Sequence, residues 1–366
     1  MEIKKMLFAA LAMMGSVAAS AQHIKSPKVV LVTMDGFRWQ EVFRGADSAL
    51  INSKYTDDKE EIKQLFWAPT AAQRRSKLLP FFWNTLEKKG QLYGDRDEDG
   101  KDQVLNPYNF SYPGYNEILT GFPDVRMNTN DPIPNPNMNV LEFVNKQKGF
   151  ENKVAAFSSW EVFPAILNAK RSKLLVNSGF MDFTKSDAGD RLKYISKVQH
   201  EATKILGEKT RLDFATYEMG FEYMKQYKPR FLYLAFDETD DLAHEGLYKL
   251  YLKQAHLEDK YLSDLWNYIQ HDPYYKDQTT LIITCDHGRG EKDPNTWTGH
   301  GQDIKESNQT WFAVIGPETS AKGIMKGQTY HNQLAQTIAN LLGLDFKKAA
   351  DHEVGAAIKT VSDQIK

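Results

Sequence analysis

Aspartate and histidine side chains follow three apolar stretches of the sequence at the point where each stretch ends. The stretches and the side chains behind them are Lys28–Thr33 with Asp35, Arg230–Phe236 with Asp237, Asp240 and His244, and Thr279–Cys285 with Asp286 and His287. Asp240 and His244 are four residues apart, so on one helical turn both project to the same face. Carboxylates mixed with imidazoles are ligands that Zn²⁺ commonly receives. Taken together, the three strand ends predict a metal site.

Two further histidines compete for the last ligand position of this site. His300 lies between two glycines, which let the backbone approach an ion closely. His331 precedes the amphipathic pattern that predicts the last helix, Asn332–Leu342. The residue pattern alone does not choose between the two histidines.

A hydroxyl nucleophile is predicted at Ser111. A serine side chain attacks poorly at neutral pH unless a bound metal lowers its effective pKa. Pro113, two residues later, is suited to the first turn of a helix, whose free N–H groups and positive dipole end attract phosphate. Without the metal motifs elsewhere in the chain, Ser111 would be interpreted as a loop hydroxyl or a helix cap.

One acidic segment imitates a calcium loop. Asp95, Asp97, Asp99 and Gly100 match the opening D-x-D-x-D-G. The twelfth position, where such a loop needs a bidentate glutamate, is Asn106. We therefore interpret the segment as an acidic turn.

The apolar stretches are the strands that must position the candidate ligands. Each is short and rich in β-branched residues, as buried parallel strands are, and Lys153–Phe157 has the same character. Helical patterns lie between them at Val140–Lys146, Arg191–Leu206, Leu212–Gln226 and Leu247–Ile269. This alternation predicts an α/β fold with a largely parallel central sheet and helices on both faces, whose ligands bind beyond the carboxyl ends of the strands. Gln91–Pro136, rich in Asn, Asp, Gly and Pro, is predicted to form active-site loops around one short helix.

The first 21 residues have the pattern of a signal peptide. Lys4 and Lys5 precede the apolar run Met6–Ala18, and small residues close it. We expect residues 1–21 to be removed, leaving a single catalytic domain over residues 22–366 with no membrane anchor. The chain's only cysteine is Cys285, which excludes an intramolecular disulfide and argues against a lipoprotein anchor. An exported protein of this kind fits a bacterial periplasm.

The charge of the chain argues against some partners. The formal net charge of the 366 residues is −2, without a long basic run, which gives no electrostatic reason to expect a nucleic-acid polymer. A small anionic substrate stays compatible, because local metal ions override the net charge. The oligomeric state is not specified by the sequence.

Five segments resemble, in order, the motifs of the alkaline phosphatase superfamily. They are VTMDGF, NFSYPGYNEILTG, DETDDLAHEG, TCDHG and TGHGQD. The chain most resembles the nucleotide pyrophosphatase/phosphodiesterase branch of that superfamily. The resemblance implies an alkaline phosphatase-like fold, two Zn²⁺ per chain and a small phosphate-ester substrate. Members of eukaryotic type usually carry Thr followed by Phe-Pro-Asn-His where this chain has Ser111 to Tyr115, so the resemblance does not specify the substrate.

The resemblance also implies roles for individual residues. One zinc ion would be held by Asp35, Ser111, Asp286 and His287, and the other by Asp240, His244 and His300, with Asp237 and Asp241 as neighbours. On this basis His300 is preferred to His331. Asn130 resembles the family's asparagine that donates a hydrogen bond to a non-bridging phosphate oxygen, and Asn128 is its competitor.

Several other side chains near the motifs have two interpretations. Trp160 and Phe163 follow a predicted strand, where they either stack on a base or aryl group or belong to the core, and we expect the core. Lys170, Arg171 and Arg289 are candidates for contacts with phosphate oxygens, with surface solvation as the alternative.

We therefore predict a metal-dependent phosphoric ester hydrolase that acts on phosphodiesters or nucleotide pyrophosphates through a phosphoseryl-type intermediate at Ser111. An alkaline phosphatase-type phosphomonoesterase is the alternative. A phosphoglycerate mutase-like isomerase would share the metals and the serine, but the leader argues against a glycolytic enzyme. A non-catalytic metal-binding protein would not need Ser111. A sulfatase needs the signature S-x-P-x-R, and Tyr115 stands in place of its arginine.

Overall fold

The computed structural model describes residues 26–363, so the predicted signal peptide lies outside the described residues. Across 26–363, every helix is too short or too polar to span a bilayer. The strands of this part are β1 Lys28–Met34, β2 Gln91–Tyr93, β3 Gly100–Gln103, β4 Val154–Ser158, β5 Leu175–Ser178, β6 Phe231–Phe236, β7 Thr279–Thr284, β8 Gln309–Thr310, β9 Phe312–Ile315, β10 Gly323–Ile324 and β11 Gly327–Tyr330. The α-helices are α1 Trp39–Arg44, α2 Ser48–Ile51, α3 Lys59–Phe66, α4 Ala71–Leu78, α5 Glu87–Lys89, α6 Ser111–Thr120, α7 Val140–Asn145, α8 Phe163–Ile166, α9 Ala169–Ser172, α10 Asp190–Val198, α11 Asp213–Tyr227, α12 Glu238–His244, α13 Tyr248–His271 and α14 Leu334–Leu341.

An eight-stranded sheet forms the centre of the fold. Its order is β10-β2-β9-β7-β1-β6-β4-β5, and a small second sheet has the order β11-β3-β8. The strands β7, β1, β6, β4 and β5 are all parallel, and β9 pairs antiparallel with both β7 and β2. The predicted α/β class with a largely parallel sheet is confirmed.

Successive residues of each central strand enter opposite cores. Val30 and Val32 of β1 pack in one apolar cluster, and Val29 and Leu31 pack in the other. Helices α11 and α13 contribute side chains to the first cluster, and α6 and α14 to the second. Burial on both faces explains why these strands are continuous apolar runs in the sequence.

The four apolar stretches are confirmed as β1, β4, β6 and β7, with every boundary within one residue of its prediction. Three helical patterns match α7, α11 and α13 closely, and the last predicted helix corresponds to a short 3₁₀ turn followed by α14.

Two predictions about local structure are wrong. The segment Gln91–Pro136 contains the strands β2 and β3 in addition to the helix α6. The sequence gives no local signal for these strands, because their hydrogen-bonding partners lie some 200 residues away. The helix predicted at Arg191–Leu206 ends at Val198. Beyond that point Ile205 is 66% exposed, so the continued apolar periodicity has no surface to pack against.

The start of α6 packs directly on the end of β7. A Cβ atom at Gly114 would lie 2.3 Å from the carbonyl oxygen of Asp286, which is closer than real Cβ contacts come. Only glycine therefore allows this backbone approach, which brings Ser111 to the strand ends.

We expect Gly114→Ala to lower the free energy of unfolding by about 1–3 kcal/mol, because the added methyl group meets rigid backbone. Gly220→Ala in α11 is the matched control, since its Cβ would meet side chains and no rigid backbone, with Leu234 Cδ2 at 2.3 Å and Phe157 Cδ2 at 3.5 Å. Urea unfolding followed by tryptophan fluorescence measures both. Equal effects of the two variants would contradict the close approach.

Candidate metal centre and nucleophile

Three neighbouring strands bring the predicted ligands to one edge of the sheet. β1 lies between β6 and β7, so Asp35, the start of α12 and the pair Asp286-His287 emerge side by side. Asp35, Asp286 and His287 are buried at the strand ends, and Asp240 is 8% exposed.

One group of side chains surrounds Nε2 of His287. This nitrogen is 3.4 Å from Asp35 Oδ1, 3.5 Å from Asp286 Oδ2 and 3.7 Å from Asp240 Oδ1. It also lies 3.4 Å from Oγ of Ser111. The other ring nitrogen, Nδ1, donates to the carbonyl oxygen of Gly288 at 2.9 Å, which turns Nε2 toward the carboxylates.

A second group adjoins the first through Asp240. Nε2 of His244 lies 3.1 Å from Asp240 Oδ2 and 2.9 Å from Nε2 of His300. His300 Nδ1 donates to the carbonyl oxygen of Asn109 at 3.3 Å, so its Nε2 also faces inward. Burial, with the neighbouring His287 next, lowers the pKa of His300 to about 2, which keeps its imidazole neutral as a metal ligand requires.

The charges of the site fit a divalent cation. Asp35 Oδ1 and Asp286 Oδ2 are buried and accept no hydrogen bond from any described residue. Burial, reinforced by neighbouring carboxylates, raises the pKa of both groups well above the usual range. Burial would do the same for Asp240, but the guanidinium of Arg289 and the hydrogen bond with His244 hold its pKa well below that range. A cation between these groups would satisfy the unpartnered oxygens.

Two clusters in the described residues have ligand atoms close enough to share an ion. One is Asp240, His244 and His300, the group that the resemblance implies for one ion, and the other is Asp35, Asp240 and His287. Asp240 therefore belongs to both clusters, whereas the resemblance implies it as a ligand of one ion only. Asp286 and Ser111 border the second cluster through His287.

Ser111 is the first residue of α6, and Phe110 before it is the N-cap without a side-chain cap. The Ser111 hydroxyl lies against His287, so the alternative that it is simply a helix cap is not supported by its contacts. Asn130 lies at the same helix start, because its Oδ1 accepts from the backbone N–H of Tyr112 at 3.0 Å. Its predicted role toward phosphate stays a prediction.

The competing candidates lie elsewhere. His331 is buried with Nε2 at 2.7 Å from Asp102 Oδ2 and 3.2 Å from Thr284 Oγ1, apart from both clusters.

Arg171 donates to Glu142 and to backbone carbonyls of the 135–137 segment. Phe163 lies in the core, as expected. Asp97 pairs with Arg44 in an acidic turn.

Two contacts of the site were missed by the sequence analysis. The Tyr115 hydroxyl donates to Asp35 Oδ2 at 2.7 Å, and the buried Arg289 donates to the Asp240 carboxylate. Tyr115 lies four residues after Ser111, so helical spacing would have indicated it. Arg289 had no such signal, because its partner is 49 residues away.

A cleft of about 400 Å³ opens beside the cluster of Asp240, His244 and His300. It is lined by Tyr108, Phe110, Asn128, His300, Gly301, Gln302 and Asp303. The rings of Tyr108 and Phe110 are 5.9 Å apart and tilted by 45°. The cleft thus joins an aromatic wall to the residues around Ser111.

The family model for sulfatases matches residues 108–344, which is more than half of the chain. The chain belongs to the sulfatase family. No curated protein sequence is significantly similar to it. Members of the alkaline phosphatase superfamily, whose fold it shares, are hydrolases of phosphate or sulfate esters that use divalent metal ions.

Solved structures with the same fold come from both kinds of enzyme. A variant of the alkaline phosphatase PafA has a TM-score of 0.62 at 10% identity, covering 93% of this chain and 100% of that one. A 2-O GAG sulfatase has a TM-score of 0.58 at 12% identity, covering 93% and 76%. Murine ectonucleotide pyrophosphatase/phosphodiesterase 5, solved with AMP, has a TM-score of 0.54 at 14% identity, covering 93% and 100%. At these identities the likeness extends to the fold alone.

We expect His300→Ala to lower the bound zinc toward one ion per chain, because it removes one of three converging ligands. His331→Gln is the control, since its partner Asp102 lies apart from the clusters. Elemental analysis of folded, dialysed protein measures the zinc content. Full zinc in His300→Ala together with loss in His331→Gln would contradict the assignment.

Proposed function

We propose that this chain is an exported two-zinc phosphodiesterase of the nucleotide pyrophosphatase/phosphodiesterase type. The observation that carries the proposal is the position of Ser111, whose hydroxyl lies 3.4 Å from His287 Nε2 at the start of α6. A metal-stabilised binding protein has no use for a hydroxyl at that place. Export is proposed on the leader pattern in residues 1–21.

Asp35, Asp286 and His287 would hold one zinc ion beside Ser111, and Asp240, His244 and His300 the other. Bound zinc would lower the pKa of the Ser111 hydroxyl and stabilise charge on the leaving oxygen. Ser111 Oγ would form a bond to phosphorus as the bond to the leaving oxygen breaks, and water would then hydrolyse the substituted phosphoserine and restore the hydroxyl.

Other groups of the chain would bind and orient the phosphate. The positive end of the α6 dipole, at Ser111, would favour the phosphate anion. Asn130, held by the Tyr112 amide through its Oδ1, keeps its amide nitrogen available to a non-bridging oxygen.

The lining of the cleft favours phosphodiesters over phosphomonoesters and pyrophosphates as substrates. Among its lining residues the only carboxylate is Asp303, and none is Lys or Arg. Arg171, a candidate for phosphate oxygens, is engaged by Glu142. A monoester brings a second negative charge, and a pyrophosphate brings an anionic leaving group, which this lining does not neutralise. An uncharged ester group fits the aromatic wall.

Sulfate esters are the second candidate, because the matching family model is that of sulfatases. The arginine of the S-x-P-x-R signature is replaced by Tyr115, whose hydroxyl is bound to Asp35. This replacement favours direct attack by Ser111 over its conversion to formylglycine.

We expect zinc-loaded protein to hydrolyse an aryl phosphodiester faster than an aryl monoester, a nucleotide or an aryl sulfate. Ser111→Ala should lower diester turnover by several orders of magnitude, because it removes the attacking oxygen, and Ser111→Thr should retain more activity. Initial rates at equal zinc occupancy measure both. Wild-type diester rates in Ser111→Ala would contradict the covalent mechanism, and a preference for aryl sulfate would favour the sulfatase.

A further inference from the structure

The helix that carries Asp240 and His244, α12, is capped by a side chain from another helix. α12 begins after Asp237, whose own side chain makes no capping hydrogen bond. Asp213, the first residue of α11, takes that place. Its Oδ1 accepts from the N–H of Asp237 at 2.9 Å, and its Oδ2 accepts from the N–H of Glu238 at 3.0 Å. Both amides would otherwise be unpaired at the start of a helix.

The Asp213 side chain is also fixed by its other partners. It is fully buried, and its carboxylate accepts from Ser159 Oγ at 2.5 Å and from Gln254 Nε2 at 3.2 Å. The backbone N–H of Asp213 donates in return to Glu238 Oε1 at 2.6 Å. Ser159 follows β4 and Gln254 belongs to α13, so one carboxylate joins four elements of the fold.

These bonds continue to the metal cluster. Asp237, held at its N–H by Asp213, accepts the N–H of Asp240 at its carbonyl oxygen at 3.0 Å. The position of the peptide between Asp237 and Glu238 therefore determines where the Asp240 carboxylate lies. Asp240 Oδ1 is 3.7 Å from Nε2 of His287 and 3.8 Å from Nε2 of His300. His244 follows one turn later on the same face.

We propose that Asp213 is a positioning residue that holds α12 in the place where Asp240 and His244 bind metal. This inference rests on the proposed metal centre. Both oxygens of the Asp213 carboxylate accept hydrogen bonds, and the carboxylate also interacts with the buried carboxyl of Glu258. An amide in its place would turn its NH₂ toward at least one of the four donors and lose that bond. Removing such an orienting partner typically lowers metal affinity about 10–100-fold.

The chain contains a matched control for this effect. Asp259 in α13 is also buried, and its two oxygens accept from the N–H groups of Phe81 and Phe82 at 2.8 and 3.1 Å. It joins two successive amides as Asp213 does, but neither residue of that segment contacts a candidate ligand. Asp259→Asn therefore reproduces the loss of a buried cap without the connection to α12.

The test compares the wild-type chain with Asp213→Asn and Asp259→Asn in two measurements. Amide hydrogen exchange over residues 237–244, recorded without zinc, reports the anchoring of α12. Chelator competition reports the affinity of each zinc ion. We expect Asp213→Asn to speed exchange in this segment at least 10-fold and to weaken the zinc held by Asp240, His244 and His300 about 10–100-fold, and Asp259→Asn to change both less than about 2-fold.

Unchanged exchange over 237–244 in Asp213→Asn would overturn the proposal, and so would equal effects of Asp259→Asn, which would indicate general destabilisation. Faster exchange with unchanged zinc affinity would also overturn it, since α12 would then be anchored without consequence for the ligands. Failure of the wild-type chain to bind zinc would instead refute the proposed function, while exchange would still decide whether Asp213 anchors α12.

Discussion

Repulsion between buried carboxylates is the constraint around which this fold is arranged. Asp35, Asp240 and Asp286 lie within one small volume at the ends of parallel strands, and Asp237 and Asp241 are next to them. Burying an unpaired charge costs several kcal/mol even after the surroundings relax. Arg289 offsets one of these charges at Asp240. The remaining carboxylates are either protonated or paired with a cation, and their oxygens already face the imidazoles that a cation would share.

The parallel strands bring the candidate ligands together at one edge of the sheet, and two helices begin at the same edge. Parallel β6, β1 and β7 end at the same edge, which places residues from distant parts of the chain together. α6 and α12 both begin at this edge, so the positive ends of their dipoles face the acidic cluster. The small residue at Gly114 lets α6 approach the end of β7, and Gly36 leaves room for Asp240, whose Oδ1 would lie 2.4 Å from a Cβ there. Both glycines therefore allow parts of the site to approach each other closely.

The fold class and most of the site were predictable because their signals are local. The buried strands are continuous apolar runs, and the candidate ligands follow them directly, as Asp35 and Asp286 do. Contacts between distant residues gave no such signal. The strands β2 and β3 pair with the far end of the chain, Arg289 meets Asp240 across 49 residues, and Asp213 caps a helix other than its own. The pairing of His331 with Asp102 argues against His331 as a metal ligand. This contact likewise had no local signal, because it depends on the position of β3, which carries Asp102.

The central claim is that two metal ions lie on either side of Asp240, one of them within reach of Ser111. Anomalous diffraction from crystals of the zinc-loaded chain, recorded on both sides of the zinc absorption edge, tests it most directly. The arrangement predicts two peaks, one among Asp240, His244 and His300 and the other among Asp35, Asp286 and His287. A single peak, or a peak between His331 and Asp102, would contradict it.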